Sequence, residues 1–155
     1  MFISSPVSVF SAAKWFCNKS GWTLSNLELQ KMIYLAHMFY MGKHDKHEPL
    51  IGGVFQAWDY GPVNPELYHQ LKDFGPDFVT PDALSFSPDI PESHNGIKDC
   101  NIVINQIPRN RLVAITHWEH GAWRKIYRPG IHHLVIPNEE IVKEWEKREE
   151  YAREQ

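Results

Sequence analysis

The sequence predicts a mainly α domain of the α+β class: a single compact helical domain with a small β element. Three observations carry that expectation. Residues 25–42 open on a capping box and are apolar nearly all round, as a helix at the centre of a fold must be. Several other segments place apolar residues at helical spacing behind Ser, Asn or Pro starts. Short strands are expected only near 51–58 and 132–136, where β-type residues sit between turn signals. The 155 residues suffice for one core, so one domain over 1–155 is expected.

Ser5-Pro6 reads as the cap and first turn of the first helix, with Val9, Phe10, Ala13, Phe16 and Cys17 facing inward and Gly21 as the stop. Ser25-Asn26-Leu27-Glu28 caps the second helix, expected to end at Gly42; Leu29, Met32, Ile33, Ala36 and Tyr40 form one face and Leu27, Tyr34, Leu35, Met38 and Met41 another. After a polar loop with His44 and His47, residues 51–55 read as a strand leading into Gln56-Ala57-Trp58-Asp59-Tyr60-Gly61-Pro62-Val63. Asn64 and Pro65 then open a third helix that ends at Gly75. Four prolines between Pro76 and Pro91 mark 76–96 as a Pro-rich surface loop.

Residues 97–107 are expected to be helical, with Ile97, Cys100, Ile104 and Ile107 in one stripe, and 111–118 form a further short helix. Residues 132–136 are expected to pair with 51–58. Asn138 reads as the cap of a charged C-terminal helix over 138–155. There Glu139–Lys143, Glu144–Arg148 and Glu149–Arg153 form i,i+4 pairs. Ile141, Val142 and Trp145 are its inward residues. Two readings of the rest stay open: a solvated, fraying helix, or one that docks on a partner.

Composition excludes some classes. At 43% hydrophobic and 23% charged, the chain is globular rather than disordered. A net charge of −3, all of it accounted for by 139–155, argues against nonspecific nucleic-acid binding. Cys17 and Cys100 form no CxxC pair and read as buried reduced thiols. Without a signal peptide or a long apolar run, a soluble cytoplasmic protein is expected, with neither membrane nor nucleic acid as partner.

No glycine pattern for phosphate and no nucleophile elbow is present, so no catalytic residue, metal site or cofactor is assigned. One alternative is a metal-dependent hydrolase using His117, Glu119 and His120, although i,i+3 spacing is not the H-E-x-x-H arrangement. The competing reading is that His117 hydrogen-bonds within the core. Lys31 stands out on the otherwise apolar helix. It either pairs with Asp59 or Glu66 or extends from the helix edge to water.

Three blocks carry a family resemblance. Leu24 to Ala36 contains Leu29-Gln30-Lys31-Met32-Ile33-Tyr34; Ala57 to Val63 is followed by Leu67-Tyr68; Thr116-His117-Trp118-Glu119-His120-Gly121-Ala122-Trp123 comes last. In this order they resemble the Panacea antitoxin domain family, which includes SocA-like antitoxins and phage-associated GepA-like proteins. Ala122 departs from that family's usual Pro before Trp123. The resemblance implies a mostly helical, non-enzymatic domain. It also implies the neutralising half of a toxin–antitoxin pair, acting by direct binding of a cognate protein toxin encoded by an adjacent gene. An alternative within the family is an adaptor that hands the toxin to a ClpXP-type protease. Many relatives carry a DNA-binding module before the domain. This chain begins at the domain, so promoter binding is not expected. Trp58, Asp59, Tyr60 and Tyr68 are the expected partner-binding residues, with Lys31 supporting from beneath. Leu29, Gln30, Tyr34, Gly61, Pro62, Val63, His117 and Trp123 are the motif residues expected to hold the fold.

Overall fold

The structure, a computed structural model, describes residues 6–44 and 46–154. The expected Ser5 cap lies outside them. Pro6 precedes the first helix, α1 (Val9–Ser20), whose cap is Ser8: its side chain accepts from the Phe10 N–H. Val7 is held apart from the helix by pairing with Leu50 and Ile51, which explains the later start. Gly21, at φ +71°, ends α1 in the left-handed region as expected.

Helix α2 (Asn26–Lys43) makes both bonds of its capping box and is buried over most of its surface, from Leu29 to Met38 without interruption. It packs against α1, α3 (Pro65–Leu71), α4 (Asn95–Ile104), α5 (Leu112–Thr116) and α7 (Asn138–Arg153). The helix ends one residue past the expected stop at Gly42, which is also a notch for close packing. A Cβ at Gly42 would fall inside the Trp145 indole of α7, so the glycine is needed for close packing.

Strands β1 (Phe55–Trp58), β2 (Gly61–Val63) and β3 (Val135–Ile136) form an antiparallel sheet in the order β2-β1-β3. The expected pairing of 132–136 with 51–58 is present at Val135–Ile136 against Phe55–Gln56, and Ala57 donates to the Leu134 carbonyl. Residues 51–54 do not belong to β1: Gly53 turns at φ +87° and Ile51 pairs with Val7 in a separate parallel bridge.

Asn64 caps α3 through the Leu67 N–H, with Pro65 at the first turn, as read. Within 76–96 the chain is strapped to the core, since Val79, Leu84, Ser87 and Ile90 are buried and the Ser87 hydroxyl meets that of Ser11 at 2.7 Å. Helix α4 buries Ile97, Cys100 and Ile104 but ends before Ile107. The short helix α6 (Ala122–Ile126) follows the Gly121 break. Burial pushes both thiols, Cys17 and Cys100, up to about 12.

Helix α7 departs from its reading in three ways, the first being that Lys143 pairs with Glu140 rather than Glu139. Asn138 is its first helical residue, with Pro137 at the cap position, and the Asn138 side-chain oxygen instead accepts from His37 Nε2 at 3.1 Å. His37 Nδ1 accepts from the Ile51 N–H, so the neutral ring is fully used; burial lowers its pKa to about 4. Glu144, read as a surface partner of Arg148, is completely buried.

The Gly42 notch gives a direct test. Gly42→Ala is expected to destabilise by about 1–3 kcal/mol, although Ala is the better helix former. Urea denaturation should show the loss, and Trp145→Leu in the same chain should recover part of it.

Candidate functional site

Strands β1 and β2 form a hairpin that reverses at Asp59-Tyr60. A hairpin this short leaves outward backbone groups unpaired, and buried polar groups require partners. Side chains from distant elements supply them. From α2, Lys31 Nζ donates to the Pro62 carbonyl at 2.8 Å; Gln30 accepts from the Asn64 N–H at 2.8 Å and donates to its carbonyl at 3.4 Å. From α6, Trp123 Nε1 donates to the Trp58 carbonyl at 2.7 Å. Following α5, His117 places Nε2 3.3 Å from the Asp59 carbonyl and Nδ1 2.8 Å from that of Val113. Both of its partners only accept, so the ring is placed to donate from either nitrogen.

Gly61 makes this convergence possible. It sits at φ +109°, and a Cβ there would come within 3.1 Å of Lys31 Cε and 3.2 Å of His117 Cε1. Trp123 lies between the His117 ring, 4.0 Å away, and the Tyr127 ring, 4.5 Å away and stacked. Pro62 has no N–H and its carbonyl is taken by Lys31, so the middle of β2 offers nothing to an added strand.

Lys31 is fully buried, and its bond is to a carbonyl rather than to Asp59 or Glu66. It does not reach water from the helix edge either. Burial without a carboxylate lowers its pKa to about 7. The Asp59 carboxylate points elsewhere, accepting from the Tyr127 hydroxyl at 2.6 Å, with His132 Nε2 at 3.6 Å.

A second buried centre ties α7 to this assembly. Glu144 accepts from the Tyr34 hydroxyl at 2.8 Å, the Ala122 N–H at 2.9 Å and Arg148 Nε at 2.8 Å. Arg148 also donates to the Ile115 carbonyl and lies over the Trp118 ring. Burial and the adjoining Glu144 carboxylate hold the Tyr34 hydroxyl well above its ordinary range. Glu144 was missed because an i,i+4 pair reads as a surface pair. No local sequence signal marks it: only the fold shows Gly121, where a Cβ would come within 3.0 Å of Glu144 Oε1.

Above the hairpin lies an open cleft of about 480 Å³, walled by Trp58, Tyr60, Tyr68, Leu27 and Val63, with Lys72 at its edge. Trp58 and Tyr68 meet edge to face at 4.8 Å. Tyr60 is 71% exposed and Leu27 43%. Leu27, read as part of a buried face, and Lys72 and His132 belong to this surface. The sequence did not single them out, because their neighbours are set by the tertiary fold. The structure thus brings Trp58, Asp59, Tyr60 and Tyr68 together around one cleft, whereas Lys31 does not line it and bonds to the Pro62 carbonyl of β2. Leu29, Gln30, Tyr34, Gly61, Pro62, Val63 and Trp123 are buried in the support.

The histidine alternative is not assembled. His117 faces two carbonyls, whereas His120 lies 3.3 Å from Glu119 beside the Trp118 and Tyr151 rings. Among the described residues, no group of three or more His, Cys, Asp or Glu side chains is placed to hold a metal ion. No helix among them is long and apolar enough to cross a membrane.

These features define a small helical scaffold that holds one hairpin from below and presents an aromatic cleft above it. The chain belongs to the Antitoxin SocA-like, Panacea domain family, whose model matches residues 29–124. It is 32% identical over 111 residues to Antitoxin SocA of Caulobacter vibrioides (strain NA1000 / CB15N), an alignment covering 64% of this chain and 58% of that relative. The chain therefore spans less than two thirds of that relative's length. No solved structure gives a significant match. The matched range contains the Gln30, Lys31, His117 and Trp123 supports and stops short of α7.

Two outcomes test the buried centres. Glu144→Ala strands the Tyr34 hydroxyl, the Ala122 N–H and Arg148, and should cost about 3–5 kcal/mol by denaturant unfolding. Lys31 has a folded pKa of about 7, below its ordinary 10.5, so the unfolded chain binds more protons between these values and stability rises with pH there. Measured as wild type minus Lys31→Met, which cancels the thiols, stability should shift towards wild type by about 2 kcal/mol from pH 7 to 9. A flat difference would contradict the assignment.

Proposed function

We propose that this chain is the antitoxin of a toxin–antitoxin pair, acting in the cytoplasm and neutralising a cognate protein toxin by direct binding. The observation that carries this reading is the exposed Tyr60 at the tip of a hairpin fixed by buried side chains. A preorganised aromatic surface loses little entropy on binding, and Tyr and Trp are the residue types that most often dominate interface energies. Family membership and the similarity to a relative named Antitoxin SocA support the same role. Occlusion of the toxin at the cleft is the mechanism, with Trp58, Asp59, Tyr60 and Tyr68 as contacts and Lys31 as support. The toxin is encoded by an adjacent gene.

A second reading, delivery of the toxin to a ClpXP-type protease, is favoured by the charged outer face of α7, where Glu146, Lys147, Glu149 and Glu150 are exposed. Deleting 147–155 would not isolate that face, because it removes Arg148 from the buried Glu144 centre. Charge substitutions at Glu146, Glu149 and Glu150 separate the two roles.

The experiment induces each adjacent reading frame alone and together with this chain, following growth, toxin abundance and co-purification. Wild type should rescue growth, co-purify with the toxin and leave its abundance unchanged. Tyr60→Ala combined with Leu27→Glu should weaken binding by about 30-fold or more, the scale of a hot-spot loss, and abolish rescue. Falling toxin abundance that depends on the α7 charges would establish the adaptor mechanism instead. Rescue at wild-type strength by the double variant would remove the cleft from the contact surface.

A further inference from the structure

The turn of the hairpin is not one that fixes itself. Asp59 and Tyr60 alone connect the paired residues Trp58 and Gly61, and neither has a positive φ. The two-residue loops whose own twist matches their strands, types I′ and II′, need a positive φ within the loop. The direction of this turn is therefore set by the groups that hold it. Three rings in a row do so: His117 and Tyr127 flank Trp123, with centroids 4.0 and 4.5 Å from it. Each ring brings one donor to the turn. Trp123 Nε1 donates to the Trp58 carbonyl at 2.7 Å, His117 Nε2 reaches the Asp59 carbonyl at 3.3 Å, and the Tyr127 hydroxyl donates to Asp59 Oδ1 at 2.6 Å. Tyr127 is itself fixed, because its ring stacks on Trp123 and its N–H donates to the Trp123 carbonyl at 2.8 Å. The hydrogen bond to the Asp59 carboxylate raises the hydroxyl's pKa, so it stays a donor. Asp59 and Tyr60 line the cleft, whereas Tyr127 does not.

Resting on the reading of this cleft as the toxin-binding surface, we infer that Tyr127 is a positioning residue of that surface, acting on the toxin through Asp59 by fixing the turn that carries Tyr60. Tyr60 is 71% exposed, so its own packing does not order it. A side chain on a loosely held turn must be ordered when it binds, and that ordering subtracts from affinity. The Tyr127 hydroxyl orders the turn beforehand. It uses one Asp59 oxygen, Oδ1, and leaves Oδ2 to the cleft side, 3.6 Å from His132. Bracing the turn and facing a partner are thus carried by different atoms of one carboxylate.

The first measurement needs no toxin. Amide nitrogen relaxation of the full chain by NMR should give Asp59 and Tyr60 order parameters of about 0.85, falling towards about 0.6 in Tyr127→Phe, which keeps the ring and removes only the hydroxyl. The second titrates the adjacent-gene toxin that co-purifies with wild type. Tyr127→Phe should weaken its binding by about fivefold, the scale of one hydrogen bond, and should add nothing further to Asp59→Ala. A ring needed only for stability would act equally in both backgrounds. Unchanged order parameters, full-strength toxin binding by Tyr127→Phe, or an equal loss in the Asp59→Ala background each overturn the inference. Tyr60→Ala combined with Leu27→Glu separates the two levels. If that double variant loses the toxin while Tyr127→Phe keeps it, the cleft reading stands and the positioning role falls. If the double variant also keeps it, both fall.

Discussion

A short hairpin away from a large sheet has outward backbone groups with no strand to meet them, and satisfying those groups organises this molecule. Lys31, Gln30, His117 and Trp123 each complete a backbone bond of the segment 58–64. The donors come from α2, from α6 and from the turn after α5, so these elements must meet at one point. That requirement explains a fully buried lysine on a helix buried over most of its surface. Moving an ammonium out of water is costly, and a single carbonyl offsets only part of the cost. It also explains Gly61, since any side chain there would occupy the space where Lys31 and His117 approach.

The same arrangement separates holding the surface from being the surface. Trp123 is almost wholly buried, with its N–H committed to Trp58. Trp58 does both jobs: its carbonyl is held from below while its ring walls the cleft against Tyr68. Tyr60 is turned outward. The supporting residues therefore fix the backbone geometry, while Leu27, Tyr60, Lys72 and His132 line the cleft itself.

Much of the frame was legible in the sequence, for reasons local to it. The capping box, the Asn64-Pro65 start and the helical stripe of α4 depend on residues a few positions apart. The pairing of 132–136 with 51–58 followed from β-type composition at both places. What stayed hidden depends on long-range neighbours. Lys31 was conspicuous, but a backbone carbonyl has no letter of its own, so carboxylates were the only visible partners. Glu144 and Arg148 looked like a solvated pair because their spacing is the same whether or not a tyrosine 110 residues earlier closes over them. Gly42 was legible as the end of α2 to within one residue, but only the fold reveals the Trp145 indole against it.

The Glu144 centre also bears on how the chain comes into being. Helix α2 is complete by Lys43, yet Tyr34 on its buried face waits for a carboxylate 110 residues later, and that carboxylate for Arg148. During synthesis the central helix must therefore emerge with part of its surface uncovered, and native closure cannot precede the arrival of α7. At typical elongation rates of about 5–20 residues per second, that interval lasts seconds. A nascent chain in this state lacks the anchor that packs α6 against α7, so the hairpin is fully braced only once nearly the whole domain has left the ribosome.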